Sequence, residues 1–141
     1  MTPFHIIKSY VTKQNFISRN SSEHMWLSNN NKANVYTETD VIIKHDNKHL
    51  YLVDLLVDLT ALESVSKRHI FEIHLIITSM VFIDQESCTR ETDRLLMVDV
   101  PQNTFYKVQD IVKQITENAG YAPLHIDLIN FEEKYKRSVY K

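Results

Sequence analysis

Apolar and polar side chains alternate with a period of two over most of the first half of this chain, as they do in strands whose two faces meet different surroundings. Phe4, Ile6, Ile7 and Tyr10 open an apolar-rich strand. It passes into Asn20-Ser21-Ser22 and Ser28-Asn29-Asn30-Asn31, turn-forming runs on either side of Met25-Trp26-Leu27, which predicts a pinned loop. From Val35 to Ile43 one parity holds Val35, Thr37, Thr39, Val41 and Ile43, all β-branched, and the other holds Tyr36, Glu38 and Asp40. This is the pattern of a half-buried strand. His45-Asp46-Asn47-Lys48 supplies a polar turn, after which Tyr51, Val53, Leu55, Val57, Leu59 and Ala61 alternate with Leu52, Asp54, Leu56 and Asp58. Glu63 to Arg68 breaks the alternation. Phe71, Ile73, Leu75 and Ile77 then alternate with Glu72, His74 and Ile76 in a last strand that reaches Ile83. Links this short join antiparallel neighbours, because a parallel pair needs a crossover of about a dozen residues or more.

Gln85 to Arg94 reads as a polar turn region, Leu95-Leu96-Met97-Val98 follows, and only then does the period change. Phe105, Val108, Ile111, Val112 and Ile115 recur at helical steps, which predicts an amphipathic helix from Asn103 to Asn118, with Asn103 as N-cap and Gly120 as the stop. A second helix should open at Asn130. Asn130 and Glu133 have capping-box spacing, and Phe131, Tyr135 and Val139 make its apolar stripe. Strands first and helices last define an α+β domain.

At 141 residues the chain fits one domain, 1–141, and its 43% hydrophobic and 24% charged residues are ordinary for a globular protein. Its apolar runs are far shorter than the roughly 18 residues that span a bilayer, so direct membrane insertion is not expected. The start, Met1-Thr2-Pro3-Phe4-His5, lacks the features of a secretory signal, and Cys88 is a lone cysteine, so the expected compartment is the cytoplasm. A net charge of -2 offers no footprint for nucleic acid. The single glycine, Gly120, removes phosphate loops and dinucleotide fingerprints, and no cofactor is expected.

His5, His24, His45, His49, His69, His74 and His125 show no spacing that converges on a metal. Asp54 and Asp58 lie on one strand parity about 13 Å apart, beyond the separations glycosidases use, and read as a solvated sheet face. Glu72 and His74 share a parity, but no serine or cysteine is forced beside them, so no triad is argued and no enzyme is expected. Leu52, Leu56 and Ile76 stand out, because they share the parity of Asp54, Asp58 and His74, where a one-sided sheet would be polar. They, with Ile73 and Leu75, are expected at an interface between copies of the chain. Lys134, Lys136, Arg137 and Lys141 read as the solvated basic end of the last helix.

Several strings resemble the SecB family of bacterial export chaperones: Val100-Pro101 through Phe105, Ala119-Gly120-Tyr121, and Pro123-Leu124-His125-Ile126-Asp127-Leu128-Ile129-Asn130-Phe131, ending at Tyr135. Leu50-Tyr51 to Ala61 and Ile70 to Phe82 are similar to its central strands, and Thr12-Lys13 with His24-Met25-Trp26 to its first strand and loop. The resemblance implies a four-stranded antiparallel sheet followed by two helices, assembled as a dimer of dimers. It implies that unfolded preproteins are held in apolar grooves at Val35, Thr37, Thr39, Phe71, Phe131, Tyr135 and Val139, and delivered to a SecA-type translocase ATPase. The docking positions for that ATPase would be Gln14, Ser18, Glu72 and His74, of which only Glu72 is acidic. Tyr106, Gln109 and Val100 depart from the family's proline, arginine and cysteine, and Thr78-Ser79 from its glycines. Two alternatives stay open: a SecB-like chaperone dedicated to a single partner such as an antitoxin, and a small-ligand α+β domain in which Glu72 and His74 act.

Overall fold

In a computed structural model, the described residues are 4–18, 33–63, 67, 69–83 and 89–139. The expected Met25-Trp26-Leu27 loop, His24, Arg68 and Cys88 lie outside them. Four long strands, β1 (Phe4–Ser18), β2 (Ala33–Asn47), β3 (Leu50–Glu63) and β4 (His69–Ile83), form one antiparallel sheet in the order β1-β4-β3-β2. The three expected strands after the first loop pair as sequential neighbours, with the β2–β3 turn at Lys48 and His49. β1 crosses to the far side of β4, so β1 and β2 are the two edges.

Alternation sorts the sheet into two faces. Val53, Leu55, Val57, Leu59 and Ala61 of β3 and Phe71, Ile73, Leu75, Ile77 and Val81 of β4 are no more than 1% exposed, beneath the helices. Ile73 and Leu75 therefore belong to the core of the single chain and are not available to a neighbouring copy. The expectation that they form an interface is corrected, since alternation sets them on the opposite face from Leu52, Leu56 and Ile76. The Thr78-Ser79 pair is satisfied on both faces. Ser79 Oγ meets Ser9 Oγ at 2.9 Å and Thr104 Oγ1 at 3.2 Å on the helix side. Thr78 Oγ1 donates to Asp54 at 2.7 Å on the other side.

The helical layer begins earlier than its periodicity suggests. Thr89–Arg94 (α1) is helical, Leu95–Asp99 is a π turn, and Val100–Asn118 (α2) follows with helical backbone at both junctions. The Val100 N–H donates to Leu95 O, five residues back. Such a widened turn suits Pro101, which lacks an N–H and whose ring crowds the carbonyl four residues before it. Asn103 is thus inside the helix and is not its cap; its Nδ2 donates back to Asp99 O at 2.8 Å. The C-terminal end is as expected. Gly120 takes φ 87°, and bonds from Gly120 N to Glu117 O and from Tyr121 N to Thr116 O close a Schellman motif.

Phe105, Val108, Val112 and Ile115 bury the inner stripe of α2 against β3 and β4. Thr116, fully buried, accepts from Leu124 N at 3.0 Å and so fastens the segment that leads to α3 (Phe131–Val139). Asn130 Oδ1 accepts from Glu133 N at 3.0 Å, the expected cap.

Candidate functional site

α3 docks on the π turn and is anchored there by its first residue, a core residue. Phe131 is 2% exposed and meets Phe105 edge-on, with ring centroids 5.9 Å apart. The next residue, Glu132, pairs with Arg94, which ties α3 to the end of α1. One turn on, Lys134 Nζ donates to Thr39 O and Thr39 Oγ1, both at 2.8 Å. Between these anchors a cavity of about 130 Å³ opens, lined by Thr39, Asp40, Val41, Met97, Phe131, Lys134 and Tyr135. It is walled by the β2 edge, the π turn and α3, and it is mainly apolar.

The volume matters. Small-molecule sites run to about 300–1,000 Å³, whereas about 150 Å³ takes a benzene ring, so this cavity matches one side chain. A free metabolite is a poor fit to this cavity. Beside the cavity the edge of β2 continues, with Val35, Thr37, Thr39, Val41 and Ile43 half-buried on its helix-facing parity.

The seven positions matched to a client groove divide accordingly. Thr39 and Tyr135 line the cavity, and Val35 and Thr37 are half-buried farther along β2. Phe131, 2% exposed, lines the cavity from its core side, where an inserted side chain can meet its ring. Phe71, at 0% exposure, packs against Phe16 and Tyr121 in the core, so a client cannot touch it without opening the fold, and for Phe71 the expected contact is corrected. Val139 ends α3, and its side chain lies outside the described residues. Asp40, Val41, Met97 and Lys134 complete the site. Val41 shares the parity of Thr39 and was legible on that ground, whereas Met97 and Lys134 enter only through the π turn and the docking of α3.

The uncovered face of the sheet carries a second constellation. His74 Nδ1 meets Asp58 Oδ1 at 2.7 Å and its Nε2 meets Glu72 Oε1 at 3.3 Å, while His69 Nδ1 lies 3.3 Å from Glu72 Oε2. The Asp58 carboxylate holds the His74 imidazole above its ordinary value, opposed in part by desolvation and reinforced by Glu72. Asp54 goes elsewhere, to Thr78 and to Lys44 at 3.7 Å, so Asp54 and Asp58 serve different partners. Register places Asn15 and Ile17 of β1 opposite His74 and Glu72. Gln14 and Ser18 instead pair with Leu75 and Phe71 on the helix-facing parity, and Ser18 Oγ bonds the Tyr121 hydroxyl at 2.7 Å. The four positions matched to a docking surface do not share one face. Two register shifts in β1, at Ile6/Lys8 and Val11/Lys13, reset its parity in a way alternation alone does not reveal.

A pH dependence follows. Protonated His74 is stabilised by its carboxylates, so its contribution to folding is full below the unfolded value of about 6.5 and disappears as pH rises through the higher folded value. The expected result is that His74→Gln lowers the melting temperature more at about pH 5.5 than at about pH 8. Thermal melts at the two pH values check this, and an equal or reversed difference contradicts it.

Among the described residues no group of three or more His, Cys, Asp and Glu is placed to hold a metal ion, and no helix is long and apolar enough to cross a membrane.

Protein-export protein SecB of Jannaschia sp. is 26% identical over 67% of this chain and 54% of its own length. The SecB of Magnetococcus marinus is 25% identical over 91% of this chain and 79% of its own. The match thus spans about half the length of the first of these relatives. A SecB-like chaperone of Mycobacterium tuberculosis, solved in complex with a peptide from the HigA1 antitoxin, superposes with a TM-score of 0.76 over 90% of this chain and 91% of that one, at 8% identity, which shows a shared fold. The family model for preprotein translocase subunit SecB matches residues 1–141, and the chain therefore belongs to the SecB family.

Proposed function

We propose that this protein is a chaperone that holds unfolded preproteins in an extended form along the groove between the β2 edge and α3, and passes them to a SecA-type translocase ATPase. The observation that carries this reading is a side-chain-sized apolar cavity next to an open strand edge. Such a site takes an anchoring residue and a length of backbone without reading a sequence. Copies associate as a dimer of dimers, with Leu52, Leu56 and Ile76 among the apolar residues covered; they are half-buried on the uncovered sheet face, where Tyr10, Ile42 and Phe82 are exposed. The setting for this work is the cytoplasm.

A second reading is favoured by the divided docking positions: a chaperone dedicated to one partner, in the manner of the mycobacterial neighbour and its antitoxin peptide. One experiment addresses both. Aggregation of a denatured preprotein is followed by light scattering with and without the purified protein. Suppression near one tetramer per substrate is expected, and its absence sinks the general holdase. Co-purification of a single stable partner without such suppression selects the dedicated form.

A further inference from the structure

We propose that Lys134 and Asp40 are two halves of a latch on the β2 edge, and that an extended client segment binds by displacing both and joining the sheet as a fifth strand. This rests on the polypeptide-binding reading above and names how the client is held.

Among the described residues β2 ends the sheet and pairs only with β3, so the backbone groups on its other side face no described strand. Residues 39 and 41 are two apart, and their N–H and C=O groups leave the same side of the strand. A strand laid alongside Asp40 would donate an N–H to the Thr39 carbonyl and accept from the Val41 N–H. Both groups are already taken. Lys134 Nζ occupies Thr39 O at 2.8 Å, and Asp40 Oδ1 accepts from Val41 N at 2.9 Å. Charged caps of this kind blunt an edge against indiscriminate pairing.

The two caps carry opposite charges and line the same cavity. An added strand that takes both backbone groups releases the ammonium on the helix side and the carboxylate on the other side of the sheet, and both turn to water. Two side-chain-to-backbone bonds are exchanged for two backbone bonds, and each released charge is hydrated. The same strand directs alternate side chains to the helix side, one of them over the cavity, whose volume of about 130 Å³ admits a single apolar residue. The segment recognised is therefore an extended one with free amides and one large apolar side chain, and the latch makes its binding selective against anything that cannot take both backbone groups.

The test uses the full chain, a fluorescein-labelled peptide of alternating phenylalanine and threonine, and the same peptide N-methylated on the amides of one edge. By fluorescence anisotropy the wild type should bind the plain peptide about tenfold more tightly than the methylated one. Lys134→Met keeps the aliphatic stem, removes the cap, and should tighten binding by about threefold or more. Asp40→Asn leaves a neutral and weaker cap on Val41 N, and should also tighten binding, by a smaller factor. Equal binding of the two peptides by the wild type overturns strand addition, whatever the variants do. Unchanged or weaker binding by a normally melting Lys134→Met or Asp40→Asn overturns the latch. A protein that holds denatured preprotein but not the plain peptide refutes this inference alone; one that holds neither removes the reading beneath it.

Discussion

Phe131→Ala is expected to lower the free energy of unfolding by about 3–5 kcal/mol, the range for a phenylalanine truncated in a packed core. The ring is 2% exposed and is the first residue of α3, packed edge-on against Phe105 of α2. The rest of α3 is held through partly exposed side chains, among them the Arg94–Glu132 pair, the Lys134 bonds and Tyr135 against the core. The lost contact therefore falls on the element that forms one wall of the groove, and α3 should open before the sheet does. Urea unfolding followed by circular dichroism measures the loss. Hydrogen exchange locates it, with the α3 amides expected to lose protection while those of β3 and β4 keep theirs. Uniform loss across both would contradict the assignment of α3 as a separately docked element.

The second large effect is functional. Val41→Glu places a carboxylate at the mouth of the cavity, on the strand edge and next to Asp40. An apolar anchor would then have to desolvate that charge, at a cost of a few kcal/mol, so binding of denatured preprotein should fall by tenfold or more. Val41 is only half-buried, so the fold should survive. Light-scattering suppression and peptide anisotropy measure the loss, and circular dichroism checks the fold. Undiminished suppression by a folded Val41→Glu protein would remove the groove as the client site.

Much of the fold was legible because a period of two is hard to produce by any means except a strand with unlike faces. Val35 to Ile43, Tyr51 to Ala61 and Phe71 to Ile77 all behave in this way, and their short links determine the antiparallel order. The same alternation separates Ile73 and Leu75 from Leu56 and Ile76, so grouping all of them in one interface went against the chain's own pattern. Three things were hidden for physical reasons. The pairing of β1 with β4 is long-range, and the two irregularities in β1 reset which of its residues face Glu72 and His74. The start of the helical layer was missed because Leu95, Leu96 and Val98 are all buried, which erases the one-sided stripe by which a helix is recognised. The depth of the site was hidden as well. Phe71 looks like an apolar contact in a sequence but lies in the core, whereas Phe131 lines the cavity beside Thr39, Val41, Met97 and Lys134.

The π turn at Leu95–Asp99 also bears on how this helical layer tolerates change. A π turn carries one residue more than an α turn, and each residue of an α-helix advances about 100° around its axis. The turn is therefore a phase slip, and the azimuth of Phe105, Val108 and Val112 over the sheet is counted from it. Removal of any one residue between 95 and 99 would restore regular winding and rotate that whole stripe away from β3 and β4, while many substitutions within the turn would leave the angle untouched. The segment that looks least regular is thus the one whose length is least free to vary.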